Sequence, residues 1–97
     1  MRVVLHAPSE AALDRARSNA RNLRAAQPDA EIMIVVNADG VRAALENRDS
    51  ETDQNLRICA NTLAVRDLTA PDYLTTVPAA VETLALLQIE GWAYIRA

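Results

Sequence analysis

Cys59 is the only cysteine in the 97 residues and the only side chain that offers a thiol nucleophile. It follows the short run Leu56-Arg57-Ile58 and precedes Asn61 and Thr62, residue types that favour a helix start. A thiol at that point meets unpaired backbone amides and the positive end of the helix dipole, which stabilise thiolate over thiol. A free cysteine can equally be a small buried hydrophobe at a strand end, and local spacing does not separate the two. His6 and Asn37 stand at comparable places, after Val3-Val4-Leu5 and after Ile32 to Val36. His6 is a candidate hydrogen-bond partner or base for a neighbouring thiol, or else a loop anchor. The Asn37 amide could orient a ligand, or simply turn the chain. Asn61 and Thr62 are candidate helix caps whose polar groups could also stabilise an anionic sulfur.

The elements that would position these residues follow from periodicity. Val3 to Leu5 and Ile32 to Val36 are continuous apolar, β-branched runs of the kind buried on both faces of a parallel sheet. Between them, Leu13, Ala16, Ala20 and Leu23 recur at helical spacing, with Ser9 as N-cap, so residues 10 to 26 are predicted to form an amphipathic helix. Asp39 is predicted to cap a second helix through Val41, Ala44 and Leu45, followed by a polar stretch from Asn47 to Asn55 that reads as a loop or weak helix. Leu56 to Cys59 is the third strand, with Asn61 or Thr62 opening the next helical turn. Tyr73 to Val77 is the fourth strand, with Pro78 in the first turn of a helix that Gly91 stops, and Trp92 to Ile95 closes the chain as a fifth strand. The expectation is a single domain over residues 1–97, a three-layer α/β/α sandwich around a mainly parallel five-stranded sheet. In such sheets ligands bind beyond the carboxyl ends of the strands, which puts His6, Asn37 and Cys59 on one edge.

Composition narrows the function classes. A net charge of -3 and a pI of about 5.0 give no positive field for nucleic acid or an anionic membrane, and no apolar run is long enough for a span. Arg15, Arg17, Arg21 and Arg24 read as a solvated helix face, with phosphate binding as the alternative. With two glycines there is no Gly-rich phosphate cradle, and one His with one Cys makes no recognisable zinc site, so neither a cofactor nor a metal is expected. A lone thiol fits a reducing compartment, and cytoplasmic localisation is expected.

Several segments resemble the DsrE/DsrF-like proteins of the DsrEFH superfamily. Asn19-Ala20-Arg21-Asn22-Leu23 is similar to that family's N-A-x-N-L, and Cys59-Ala60-Asn61-Thr62-Leu63 to its C-x-N-T-L. Val77-Pro78 and the run from Leu87 to Ile95 resemble its V-P-x-x-V, L-Q-x-E-G and W/Y-A-Y-I ending. The segment from Arg48 to Asn55 departs from the pattern, being shorter than the helical piece usual there. The resemblance implies a homo-oligomer, trimeric or hexameric, with the cysteine near a pocket at a subunit boundary. It also implies sulfur relay, with Cys59 accepting sulfane sulfur as a persulfide from a donor protein and passing it to an acceptor. The alternative is a non-catalytic oligomeric binding or assembly module with a small-ligand pocket between subunits. One cysteine favours relay over thiol–disulfide oxidoreduction, which normally needs a resolving thiol.

Overall fold

The computed structural model describes all 97 residues. In chain order it comprises β1 (Arg2–Ala7), α1 (Glu10–Ala26), β2 (Glu31–Val36), α2 (Asp39–Glu46), a 3-10 turn over Asp53–Asn55, β3 (Leu56–Cys59), α3 (Ala60–Val65), β4 (Thr75–Val77), α4 (Ala80–Ile89) and β5 (Ala93–Arg96). The five strands form one sheet in the order β4-β3-β2-β1-β5, and every neighbouring pair is parallel. The expected α/β sandwich is therefore present. Its layers are unequal: sixteen buried residues pack between α1, α2, α3 and one sheet face, whereas α4 alone covers the other with a six-residue cluster. No helix is long and apolar enough to cross a membrane.

The alternation of side chains along a strand sends Val3, Leu5 and Ala7 to the first face and Val4 and His6 to the second. In β3, likewise, Leu56 and Ile58 face α1 to α3, while Cys59 joins Ala80, Leu84 and Leu87 of α4. The α1 helix spans the predicted residues, and Ser9 caps it by accepting a 3.1 Å hydrogen bond from the Ala12 amide. Gly91, at φ +95°, occupies a left-handed conformation just beyond α4 that L side chains rarely adopt.

Several local expectations are corrected. Ala38, not Asp39, holds the N-cap position of α2, at φ 50° and ψ -134°. Asp39 is the first helical residue, and its carboxylate accepts a 2.6 Å bond from Arg66 instead of capping. Gly40 follows because the helix runs against β1, where a Cβ would lie 2.4 Å from the carbonyl oxygen of Ala7. The α3 helix begins at Ala60 with Cys59 at its N-cap, so neither Asn61 nor Thr62 caps it. Tyr73 lies in the turn before the fourth strand, and Pro78 precedes α4, whose N-cap is Ala79.

The arginines of α1 are not a uniformly solvated face, and they are not arranged for phosphate. Arg17 is buried and donates to the Thr52 hydroxyl (2.6 Å), the Asp53 carboxylate (3.0 Å) and the Asn47 carbonyl (3.1 Å). Arg21 pairs with Asp49 and Glu51, and Arg24 donates to Asn55 at 3.0 Å. Three turns of one helix face thus clamp the polar 47–55 segment. Burial opposes ionisation of Asp49, but Arg21 and the Glu51 amide overcome it and hold the carboxyl below its ordinary range.

Candidate functional site

The chain path sets the site. α3, which follows β3, packs on the first face of the sheet through Leu63, whereas α4, which follows β4, packs on the second through Leu84 and Leu87. β3 and β4 are neighbours, so the helices leaving their carboxyl ends diverge to opposite faces. That divergence opens the crevice at which parallel sheets bind ligands. Cys59, the last residue of β3 and the N-cap of α3, stands there.

Two helix starts converge on its sulfur. The Ala80 amide, first in α4, donates to Sγ at 3.4 Å. From α3, the Thr62 hydroxyl and the amides of Asn61 and Thr62 also stabilise the anion. Burial pushes the thiol up, but these four donors outweigh it and leave the Cys59 pKa below the ordinary thiol value of 9.0. The Thr62 hydroxyl oxygen accepts from the Ala38 amide at 3.2 Å, so its own proton is free to favour the nearby thiolate. The left-handed Ala38 is thus the strained link between the β2–α2 turn and the thiol.

Cys59 is only 5% exposed. A cleft of about 280 Å³ is lined by Asn37, Ala38, Asn61, Thr62, Val65 and Arg66, of which Asn61 and Thr62 follow Cys59 in the first turn of α3. Three of the five residues singled out from the sequence, Asn37, Asn61 and Thr62, line the cleft, whereas the Cys59 side chain packs with Ala80, Leu84 and Leu87 of α4.

His6 does not join them directly. β2 lies between β1 and β3, with His6 in register with Val35 and Val35 with Arg57. Two strand spacings place the backbones of β1 and β3 roughly 10 Å apart. Both ring nitrogens are also engaged: Nδ1 lies 2.7 Å from the Tyr94 hydroxyl, and Nε2 lies 3.0 Å from Asn37 Oδ1. His6 touches the cleft only through Asn37. Sequence reasoning missed Ala38, Val65, Arg66 and Tyr94. The tyrosine was visible as part of the closing strand, but its pairing with β1, across 88 residues of chain, had no local signal. Arg66 had none either, since its place depends on the contact with Asp39.

No protein-family model matches the sequence, and no curated protein matches it significantly. Among solved structures, the chain is similar to MTH1491 from Methanobacterium thermoautotrophicum, a protein of unknown function, with a TM-score of 0.84, 28% sequence identity, and coverage of 99% of this chain and 98% of that one.

Proposed function

We propose that the protein is a sulfur carrier of the DsrE/DsrF-like kind, with Cys59 as the persulfide-bearing thiol. One observation carries the reading: a single buried thiol stands at the N-cap of α3 and accepts a hydrogen bond from the first amide of α4, in surroundings that favour its anion. In the loading step the Cys59 thiolate attacks the outer sulfur of a donor persulfide R–S–SH. The donor's S–S bond breaks, R–S⁻ leaves, and Cys59 becomes Cys–S–SH with the proton retained on the outer sulfur. An acceptor thiolate then attacks that outer sulfur, takes it as its own persulfide and returns the Cys59 thiolate. The same donors that favour the thiolate also make Cys59 a good leaving group in the second step. A reducing, cytoplasmic setting suits such an exchange.

Intact-protein mass spectrometry after incubation with a sulfane-sulfur donor tests this. The expected result is a gain of one sulfur that reductant reverses, present in the wild type and absent in Cys59→Ser. Loading of the serine variant, or none in the wild type, sinks the proposal.

A second reading, an oligomeric binding module, is favoured by a separate observation. Val81, Leu86 and Ile89 of α4 are exposed, as are Tyr94 and Ile95 of the edge strand β5. A helix apolar on its outward as well as its inward side suits burial against a second copy of the chain. Self-association is compatible with sulfur carriage, whereas a non-catalytic module in which Cys59 is merely packed is not. Sedimentation of the wild type and of Val81→Glu/Ile89→Glu checks self-association: a wild type that is monomeric at all concentrations removes it.

A further inference from the structure

We infer that the first turn of α4 is a lid over Cys59, which must lift before a sulfur donor or acceptor can reach the thiol. This rests on the Cys59 reading and names what regulates access to it. Displacement at a persulfide needs the attacking sulfur within about 3–3.5 Å of the outer sulfur and in line with the bond that breaks. Cys59 is 5% exposed, so the closed protein leaves its sulfur without that approach.

The walls around the sulfur differ in how firmly they are held. Val4 and Val35 are fully buried on β1 and β2, strands paired on both sides, and α3 is anchored on the opposite face of the sheet through Leu63. The remaining cover is Ala80, Leu84 and Leu87 of α4. Within the chain nothing packs on the outer side of that helix, where Val81 is 76% and Ile89 81% exposed, and its N-cap Ala79 makes no side-chain capping bond. β4, which leads into it, is an edge strand of three residues bonded only to β3, and Thr75, Thr76 and Pro78 are exposed. The far end of α4 is tied to β5: the Trp92 amide donates to the Leu87 carbonyl at 2.9 Å, and Trp92 packs against the same cluster. The free end is therefore the one above Cys59, where the Ala80 amide donates to Sγ at 3.4 Å. Few buried contacts beside an exposed flanking backbone mark a segment that opens without global unfolding. Opening takes the Ala80 amide from the sulfur and leaves α3, with Asn61 and Thr62, in place.

Iodoacetamide reads the opening without any sulfur donor, since the Cys59 thiolate must reach its carbon to displace iodide. Wild-type labelling at neutral pH should run at least about tenfold slower than in the same chain unfolded in urea, although the folded thiol is the more ionised. Leu84→Ala, which loosens α4, should raise the folded rate about tenfold or more. Leu13→Ala, an equal truncation in the cluster on the other face, should leave it within about twofold. Hydrogen exchange on the wild type needs no variant to fold: the amides of α4 should exchange well before those of β1 and β2, with the same opening equilibrium that labelling gives. Wild-type labelling as fast as in the unfolded chain, a rate that Leu84→Ala leaves unchanged or that Leu13→Ala raises equally, or α4 amides as protected as those of β2, overturns the lid. Persulfide loading is measured on the same samples: labelling gated as described with no gain of sulfur in either the wild type or Leu84→Ala refutes the sulfur-carrier reading alone, and a wild type that loads while labelling as fast as the unfolded chain refutes the lid alone.

Discussion

Replacing Thr62 by Val separates chemistry from packing at the thiol, because valine keeps the volume and removes only the hydroxyl. The Ala38 amide, 3.2 Å from Thr62 Oγ1, loses its acceptor, and the Cys59 thiolate loses the hydroxyl that helps hold its pKa down. A hydrogen bond to a charged group is worth about 1.5–3 kcal/mol, and each 1.4 kcal/mol is about a factor of ten in population. The thiolate fraction of Cys59 at neutral pH, and with it the alkylation rate, should therefore fall by about ten- to a hundredfold. The pH midpoint of the rate should move up in parallel, and Thr62→Ser should restore most of both. Stability should drop by about 1–3 kcal/mol for the orphaned Ala38 amide. The assay is iodoacetamide labelling of the folded protein across pH, followed by intact mass, beside a urea titration. A Thr62→Val variant with wild-type rate and midpoint would show that the hydroxyl does not donate to the sulfur, and the account of the lowered thiol pKa would fail with it.

Other consequences follow from the same contacts. Arg17→Met should strand the buried Asp53 carboxylate and cost about 3–5 kcal/mol, a fall in Tm of at least about 12 °C by thermal denaturation, with part of it recovered in Arg17→Met/Asp53→Leu. Gly40→Ala should push α2 off β1 and destabilise by about 1–3 kcal/mol in a chemical-denaturation curve, since the clash is with backbone rather than a mobile side chain. The folded thiol has the lower pKa, so between its folded and unfolded values the unfolded chain binds more protons. Wild-type stability relative to Cys59→Ser should thus rise as pH climbs from the folded value toward 9.0, level off above it, and lose this contribution as pH falls through the folded value, as denaturant midpoints across pH would show. Flat behaviour across that window would contradict the donor geometry at Cys59.

The local pattern of the chain determined most of the architecture. Apolar β-branched runs and the spacing of Leu13, Ala16 and Ala20 specify strands and an amphipathic helix because burial on one face or two is a property of sequence periodicity. Cys59 was legible as a candidate for the same reason: a thiol between a strand and a helix start meets local amides whatever the rest of the fold does. What periodicity could not express was contact between distant segments. Arg17 looked like one of four surface arginines until the loop from Asn47 to Asn55 folded over it and supplied an acid. Strand order decided that α4 would bring the Ala80 amide to a sulfur 21 residues away. It also decided that β2 would separate His6 from Cys59, and that Tyr94 would reach His6 from the other end of the chain. Helix starts and strand ends are written locally, whereas which of them meet depends on how the sheet is wound, and the chemistry at Cys59 belongs to that second level.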